Sequence, residues 1–381
     1  MRSRTLTLIA ATVSTGLVLT ACGANSSSTG GSGSSSATSS ASAGGGANGK
    51  VGVILPETAT SARWESFDKP MLTAALTAQG FSVDVENAQG DNQKFSTLAD
   101  GFISQNVKVL IIAPSDPAVG AAIESKAKTA GIPVIDYDRP SLGGSADYYV
   151  SFDNEKVGEL QAQTMVDQLN AAGVAKPNII MMDGGTDVDN NAVLFKKGAH
   201  TVLDPLQAAG KLKITQEAVV KGWKVENAAP AFTQALTAAG GKVDGVVAAN
   251  DDIAGAVEGV LKNVGLSGKV VITGQDAGIA GLQRILQGTQ GMTVFKDVKQ
   301  EADAAAKLAI ALIKGDDPAS QGMTLTKFDD PQAPSHDIQA LLLAPQVITK
   351  DNVKDVITAG ALTAADICKG IEAVCTKAGI S

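Results

Sequence analysis

Val109–Asp138 reads VLIIAPSDPAVGAAIESKAKTAGIPVIDYD, and Gly245–Asp276 reads GVVAANDDIAGAVEGVLKNVGLSGKVVITGQD. Each is an apolar run of strand length, a short polar loop and an Ala-rich segment with apolar residues at helical spacing. A glycine, a second apolar run and an aspartate follow. Such strand–helix–strand units make parallel sheets, and continuous apolar runs are buried only when helices cover both faces. All units of this kind look somewhat alike, so the likeness alone leaves open whether the chain holds two copies of one lobe. Two lobes are favoured because polar residues collect just past the strand ends in both halves, where open α/β sheets bind ligands.

The same alternation extends outward. Val51–Leu55, Val83–Glu86, Val109–Ile112, Val134–Asp136 and Tyr149–Ser151 read as strands of a first half. Ile179–Met182, Ile214–Ala218, Gly245–Ala248, Val270–Thr273 and Met292–Phe295 read as strands of a second. Helices are predicted between them, as over Ala118–Ala130 and Ile253–Val264. From Lys50 onward roughly 330 residues remain, more than one core usually organises.

Upstream of Lys50 the composition changes. Arg2 and Arg4 precede an uncharged apolar segment, Leu6–Leu19, that ends in Leu19-Thr20-Ala21-Cys22. A basic start, a short apolar centre and small residues before a cut form a secretory signal over residues 1–21. About 14 apolar-biased residues are too few to span a bilayer, which takes about 20. The ending resembles a bacterial lipobox, in which Cys22 carries the lipid; the other reading is an ordinary signal with an incidental cysteine. Gly23–Gly49 is Gly/Ser-rich and uncharged, so residues 22–49 are expected to form a disordered tether. At about 5–6 Å × √n its reach is roughly 30 Å.

With 31 Lys and Arg against 39 Asp and Glu, the formal net charge is −8. Loss of the leader would remove Arg2 and Arg4 as well. That balance argues against nucleic acid and against direct adsorption to anionic lipid. Cys368 and Cys375 are the cysteines of the folded part, and outside the cell a disulfide is their default state. In one continuous helix their Cα atoms would be about 10.5 Å apart, beyond the roughly 7 Å limit for a bridge. Either Gly370 breaks the helix or the pair stays reduced.

The polar loops hold a particular mixture. Arg63 and Trp64 follow the first strand in TSARWESF, and Asp138 and Arg139 follow the strand ending at Asp136. GGTDVDNN carries Asp189 and Asn191, KGWK carries Trp223, and Asn250, Asp276 and Lys296 complete the series. Carboxylates and amides accept protons from hydroxyls, while Arg, Lys and amide N–H groups donate to hydroxyl oxygens. The C–H face of a pyranose suits a flat indole. The plainer readings are a core role for each tryptophan and a helix-capping role for any one Asp or Asn. SDPA and NDDIAGA look like helix starts, so Asp116 and Asp251 are read as caps. Catalytic chemistry is poorly represented: His200 and His336 are the two histidines. H-E-x-x-H and the phosphate-cradling P-loop are missing, and no dinucleotide G-x-G-x-x-G follows the first strand. No catalytic residue, metal or cofactor is therefore expected. Two aspartates could form a glycosidase pair, but nothing in the sequence selects one.

At these residues the chain resembles the periplasmic D-xylose-binding proteins of ABC sugar importers, within the ribose/galactose-binding family. The stretches that carry the likeness are SARW, YDRP, VSFDNEKVGELQAQ, VDNNAVLFKKGA, GWKVENA, GLSGKVVITGQDA, RILQGTQGMTVFK and TKDNVKDVI. They run in consistent order from Lys50 to Gly360. The resemblance implies a type I periplasmic binding protein: an α/β fold of two similar lobes, each a mostly parallel sheet flanked by helices, with a multi-stranded hinge. It implies an N-terminal lobe of 50–151 plus about 297–330 and a C-terminal lobe of 152–296 plus about 331–381. It places a sugar among Arg63, Trp64, Asp138, Arg139, Asp189, Asn191, Trp223, Asn250, Asp276 and Lys296. The loop LPETATSA before Arg63 departs from the family's more acidic one.

The expected partners are a monosaccharide, D-xylose favoured, and an ABC permease, with the membrane touched only through the lipid on Cys22. A monomer on the outer face of the cell membrane is expected. Ribose, arabinose, glucose or galactose could fill a similar cleft, and a chemosensory receptor could share it. A lactose-repressor-type protein would share the lobes but needs a basic helix-turn-helix start instead of a signal. An extracellular glycosidase would turn its ligand over.

Overall fold

Runs such as Val109–Ile112 and Gly245–Ala248 are buried along their whole length, which requires cover on both faces of each sheet. The chain provides that cover twice. The computed structural model describes residues 49–58, 63–333, 336 and 338–380. The leader, the tether with Cys22, and positions 59–62 of the loop that departs from the family pattern lie outside the described residues.

Thirteen strands are formed among the described residues. The first group is β1 (Lys50–Leu55), β2 (Ser82–Asn87), β3 (Val109–Ile112), β4 (Val134–Tyr137) and β5 (Tyr148–Phe152). The second is β6 (Asn178–Asp183), β7 (Lys213–Val219), β8 (Gly245–Ala248), β9 (Val271–Ile272) and β10 (Thr293–Phe295). Last come β11 (Thr326–Phe328), β12 (Ile338–Leu343) and β13 (Gln346–Ile348). One sheet has the order β11-β12-β5-β4-β3-β1-β2, parallel except where β11 meets β12. The other has the order β7-β6-β8-β9. A parallel bridge from Gln275 to Val294 links it to the antiparallel pair β10-β13. The two orders match strand for strand from β2-β1-β3-β4 to β7-β6-β8-β9. Each reverses direction between its second and third positions, the place where open α/β sheets leave a crevice.

The two quoted units start their helices in the same way. Asp116 accepts the Ala118 N–H at 2.9 Å to cap the helix Pro117–Thr129. Asn250 accepts the Ile253 N–H at 2.9 Å to cap the helix Asp251–Asn263. Each satisfies a donor that the first helical turn leaves open. Asp251 is therefore not the cap that the sequence pattern named. Its carboxylate accepts instead from Gly278 N at 2.9 Å and Gln290 Nε2 at 2.7 Å.

The chain passes between the sheets after β5, after β10 and after β12. The last passage corrects the boundary read at 330/331. Ile338–Leu343 pairs in parallel with β5 in the first sheet, because its buried Ile338 and Ala340 pack beside Tyr149 and Phe328. Only from β13 onward does the tail join the second sheet. There the helices Ala364–Cys368 and Glu372–Lys377 are separated at Gly370, whose φ of 82° is left-handed. The break brings the Cα atoms of Cys368 and Cys375 to 5.8 Å, and the two are joined in a disulfide.

One crossing in the second half sets the position of a helix that reaches the cavity described below. The helices Asn154–Ala171 and Asn190–Ala208 touch backbone to backbone at Gly158 and Gly198. A Cβ on Gly198 would lie 1.8 Å from Glu155 O, and one on Gly158 would lie 1.8 Å from Phe195 O. Neither carbonyl can swing away as a side chain could. Gly198→Val should therefore cost at least about 3 kcal/mol, lowering Tm by roughly 6–12 °C for a lobe of this size. A melting curve within 2 °C of the parent would show that the helices do not cross here.

Candidate functional site

The residues just past the strand ends form the walls of one cavity, partly open to solvent. Arg63 and Trp64 enter it from the segment after β1, where Trp64–Asp68 forms a single π-helical turn. Asp138 and Arg139 enter after β4. From the second sheet come Asp189 and Asn191 after β6, Trp223 after β7, Asn250 after β8, Asp276 after β9 and Lys296 after β10. All ten residues named from the sequence meet here, joined by Phe195 and Gln275, which the sequence reading did not name. Gln275 directly precedes Asp276 at the same strand end. Phe195 lies one helical turn beyond Asn191, on the same face. Both signals were present in the sequence.

Arg63 organises the first wall. Its Nε and Nη2 donate to the two oxygens of Asp68 at 2.9 and 2.7 Å. Nη1 donates to Asp138 Oδ1 at 2.8 Å, and Nη2 also donates to Glu301 Oε2 at 2.9 Å. Tyr137 OH donates to Asp68 Oδ1 at 2.8 Å. Burial opposes the charge on Arg63, but Asp138, Asp68 and Glu301 outweigh it and raise the guanidinium pKa well above its ordinary value. Burial likewise opposes the Asp138 carboxylate, yet Arg63, Lys296 and Arg139 together hold its pKa below the usual range. Glu301 goes the other way: burial, reinforced by Asp138, pushes it well above the carboxylate range despite Arg63.

A second set of contacts ties the two sheets together at Asp138. Its carbonyl accepts from Ser151 Oγ at 2.9 Å and, across the cavity, from Asn191 Nδ2 at 2.6 Å. Tyr149 OH lies 3.1 Å from that carbonyl and from Asn191 Oδ1, and its one proton serves either. Trp223 Nε1 donates to Asp189 Oδ2 at 3.0 Å. The indole lies against Gly184 and Gly185; a Cβ on Gly184 would sit 2.1 Å from Trp223 Cη2, so the GG of GGTDVDNN makes room for the ring. Asp189 also caps its helix by accepting Asn191 N–H at 2.9 Å. Capping and cavity-lining are not exclusive for this residue or for Asn250.

Three site residues hold non-glycine backbone in the left-handed region: Asp138 at φ 62°, Trp223 at 59° and Asp276 at 90°. Such conformations cost about 1–3 kcal/mol each and persist where the surroundings enforce them. Trp64 is wedged between cations, with Arg63 Cζ 4.6 Å and Arg139 Cζ 5.2 Å from its ring centre. Lys296 Nζ stands 3.6 Å from Asp138 and 3.7 Å from Asp276, beyond hydrogen-bonding distance of both.

The lining thus carries three cations (Arg63, Arg139, Lys296) and three carboxylates (Asp138, Asp189, Asp276), a balance suited to a neutral ligand. Among the described residues, Trp64 Nε1 and Gln275 Oε1 are buried in these walls without a hydrogen-bond partner, and Arg139 Nε, also without a hydrogen bond, has a loose ion contact with Asp189 Oδ2 at 3.5 Å. An unpaired buried polar group costs about 1–3 kcal/mol. One unpaired donor, one unpaired acceptor and a loosely paired second donor around one cavity match a molecule whose hydroxyls both give and take.

The sequence profile of the periplasmic binding protein domain matches residues 51–317. The D-xylose-binding periplasmic protein of Escherichia coli is 39% identical over 308 residues, covering 81% of this chain and 89% of that protein. That of Haemophilus influenzae is 38% identical over 310 residues, covering 81% and 88%. The carbohydrate transporter solute binding protein from Chloroflexus aurantiacus, solved in complex with D-glucose, has a TM-score of 0.74 at 30% identity. It covers 83% of this chain and 97% of its own.

The Arg63 cluster yields a paired test. Arg63→Met strands Asp68, Asp138 and Glu301 in the interior, which should cost about 3–5 kcal/mol and lower Tm by roughly 10 °C. Because the stranded carboxylates would bind protons more readily folded than unfolded, the deficit should shrink as pH falls from 8 to 5. Glu301→Gln keeps the shape of a side chain whose ionisation burial opposes, so its Tm at pH 7 should stay within about 2 °C of the parent. Melting curves of both variants at pH 5 and 8 decide; a large loss in Glu301→Gln would show that Glu301 is ionised.

Proposed function

The chain belongs to the periplasmic binding protein family, and from that premise we propose that it captures a monosaccharide, D-xylose, and delivers it to an ABC permease. The observation that carries the reading is the charge-balanced cavity with the unpaired Trp64 and Gln275 atoms and the loosely paired Arg139. A neutral aldopyranose satisfies all three without bringing a charge. The identity to two D-xylose-binding proteins supports the pentose. D-glucose in the Chloroflexus structure supports the second reading, in which a hexose takes the same place.

The ten residues named from the sequence, with Phe195 and Gln275, are the proposed ligand contacts. The first sheet with its helices forms one lobe and the second sheet with the tail from β13 the other. The sugar bridges them, and it stabilises the closed state by the contacts it makes only when both walls are present. The ligand leaves unchanged: the protein binds and does not hydrolyse, and it works as a monomer. Cys22 is the proposed lipid anchor, and residues 22–49 are the tether that keeps the folded part on the outer face of the membrane, beside its permease.

Two outcomes are expected. Asp276 accepts no hydrogen bond among the described residues and lies in loose ion contact with Lys296, so it is free to take sugar hydroxyls. A hydrogen bond to a charged group is worth about 1.5–3 kcal/mol, and each 1.4 kcal/mol is tenfold in affinity. Asp276→Ala should weaken D-xylose binding at least about tenfold by calorimetry while leaving the Tm of the unliganded protein within about 2 °C. Full affinity in the variant would remove Asp276 from the site. Cys22→Ser should shift the protein from the membrane fraction to the medium or leave it unprocessed; a cleaved variant retained on the membrane would contradict lipid anchoring.

A further inference from the structure

A second cavity, partly open to solvent, adjoins the first; Arg63, Asp276 and Lys296 line both. Its remaining walls divide as a sugar ring divides. Phe67 and Val298, both half-buried, give apolar surface on one side. Asp252, exposed, gives a carboxylate on the other. Asp252 accepts no hydrogen bond among the described residues, and the Asp276 carboxylate between the cavities has only Lys296 at 3.7 Å. Asp251, also in the wall, is already satisfied by Gly278 and Gln290 and serves as structure. The partition is therefore a loose ion pair and not a packed barrier.

From this arrangement we infer that the second cavity is a subsite for a substituent on the bound sugar, and that the protein takes a disaccharide as well as a monosaccharide. The inference rests on the proposed sugar-binding role. A second pyranose ring would lay its C–H face on Phe67 and Val298 and give its hydroxyl protons to Asp252 and Asp276. Asp276, with two oxygens and four lone-pair positions, would serve both rings. No covalent step is involved.

The test is titration calorimetry on the full chain with two matched pairs: D-xylose with xylobiose, and D-glucose with cellobiose. The disaccharide of the preferred aldose should bind with a Kd within about tenfold of the aldose itself. Val298→Trp fills the second cavity from a residue that does not line the first, and it should weaken the disaccharide at least about tenfold while changing the monosaccharide less than about twofold. Asp252→Ala, at an exposed position, should do the same to a lesser degree. A parent protein that binds an aldose but not its disaccharide overturns the inference and leaves the monosaccharide reading intact. Equal losses for both sugars in the two variants also overturn it. A parent that binds no aldose removes the sugar-binding reading itself, and this inference with it.

Discussion

A guanidinium that is 7% exposed and faces three carboxylates fixes the geometry on which the rest of the site depends. Asp68, Asp138 and Glu301 come from the first helical segment, the end of β4 and the helix Val298–Lys314, so Arg63 binds three separate parts of the chain at one point. Burial pushes the Glu301 pKa up, while Arg63, Lys296 and Arg139 hold that of Asp138 down, so Asp138 is the anion that these three cations share. The Asp138 carboxylate thus faces the cavity fully ionised, while its carbonyl receives Asn191 from the opposite sheet. One residue carries the electrostatics of the first wall and the hydrogen bond that reaches the second.

This arrangement explains why backbone strain gathers where it does. Asp138 and Asp276 end equivalent strands of the two repeated units, and both are held at positive φ. The left-handed turn sends the chain back across the sheet edge, so the residue past each strand points its carboxylate into the crevice. Two sheets of matching strand order, placed with these ends toward one another, produce a cavity whose walls are alike in chemistry but not in fixation. The first is locked by Arg63. The second is held by short caps at Asp189 and Asn250 and by the indole of Trp223 over Gly184 and Gly185.

Much of this was legible because burial on both faces leaves an unmistakable trace. The ten strands read from apolar runs between Val51 and Phe295 all form, and the polar residues after them meet in one place. The readings that failed did so for physical reasons. β11 and β13 are three residues each, too short for any periodicity. β12, IQALLL, is a short, mostly apolar run without regular alternation, and nothing local says which sheet it joins. Asp251 looked like a cap because caps are acidic and precede helices, but Asn250 reaches the amide first. Phe195 was hidden by being an ordinary helical aromatic; only its spacing from Asn191 places it at the cavity. The state of Glu301 could not be read at all, since it depends on neighbours far away in sequence.

The central claim is that the polar atoms of this cavity that lack a hydrogen bond are there for the hydroxyls of a sugar. A crystal structure of the protein grown with D-xylose tests it most directly. The account predicts one pyranose between the two sheets, with hydroxyl oxygens within about 3.2 Å of Trp64 Nε1, Arg139 Nε and Gln275 Oε1. A sugar bound elsewhere, or one in the cavity that leaves those three atoms without hydrogen bonds, would contradict it.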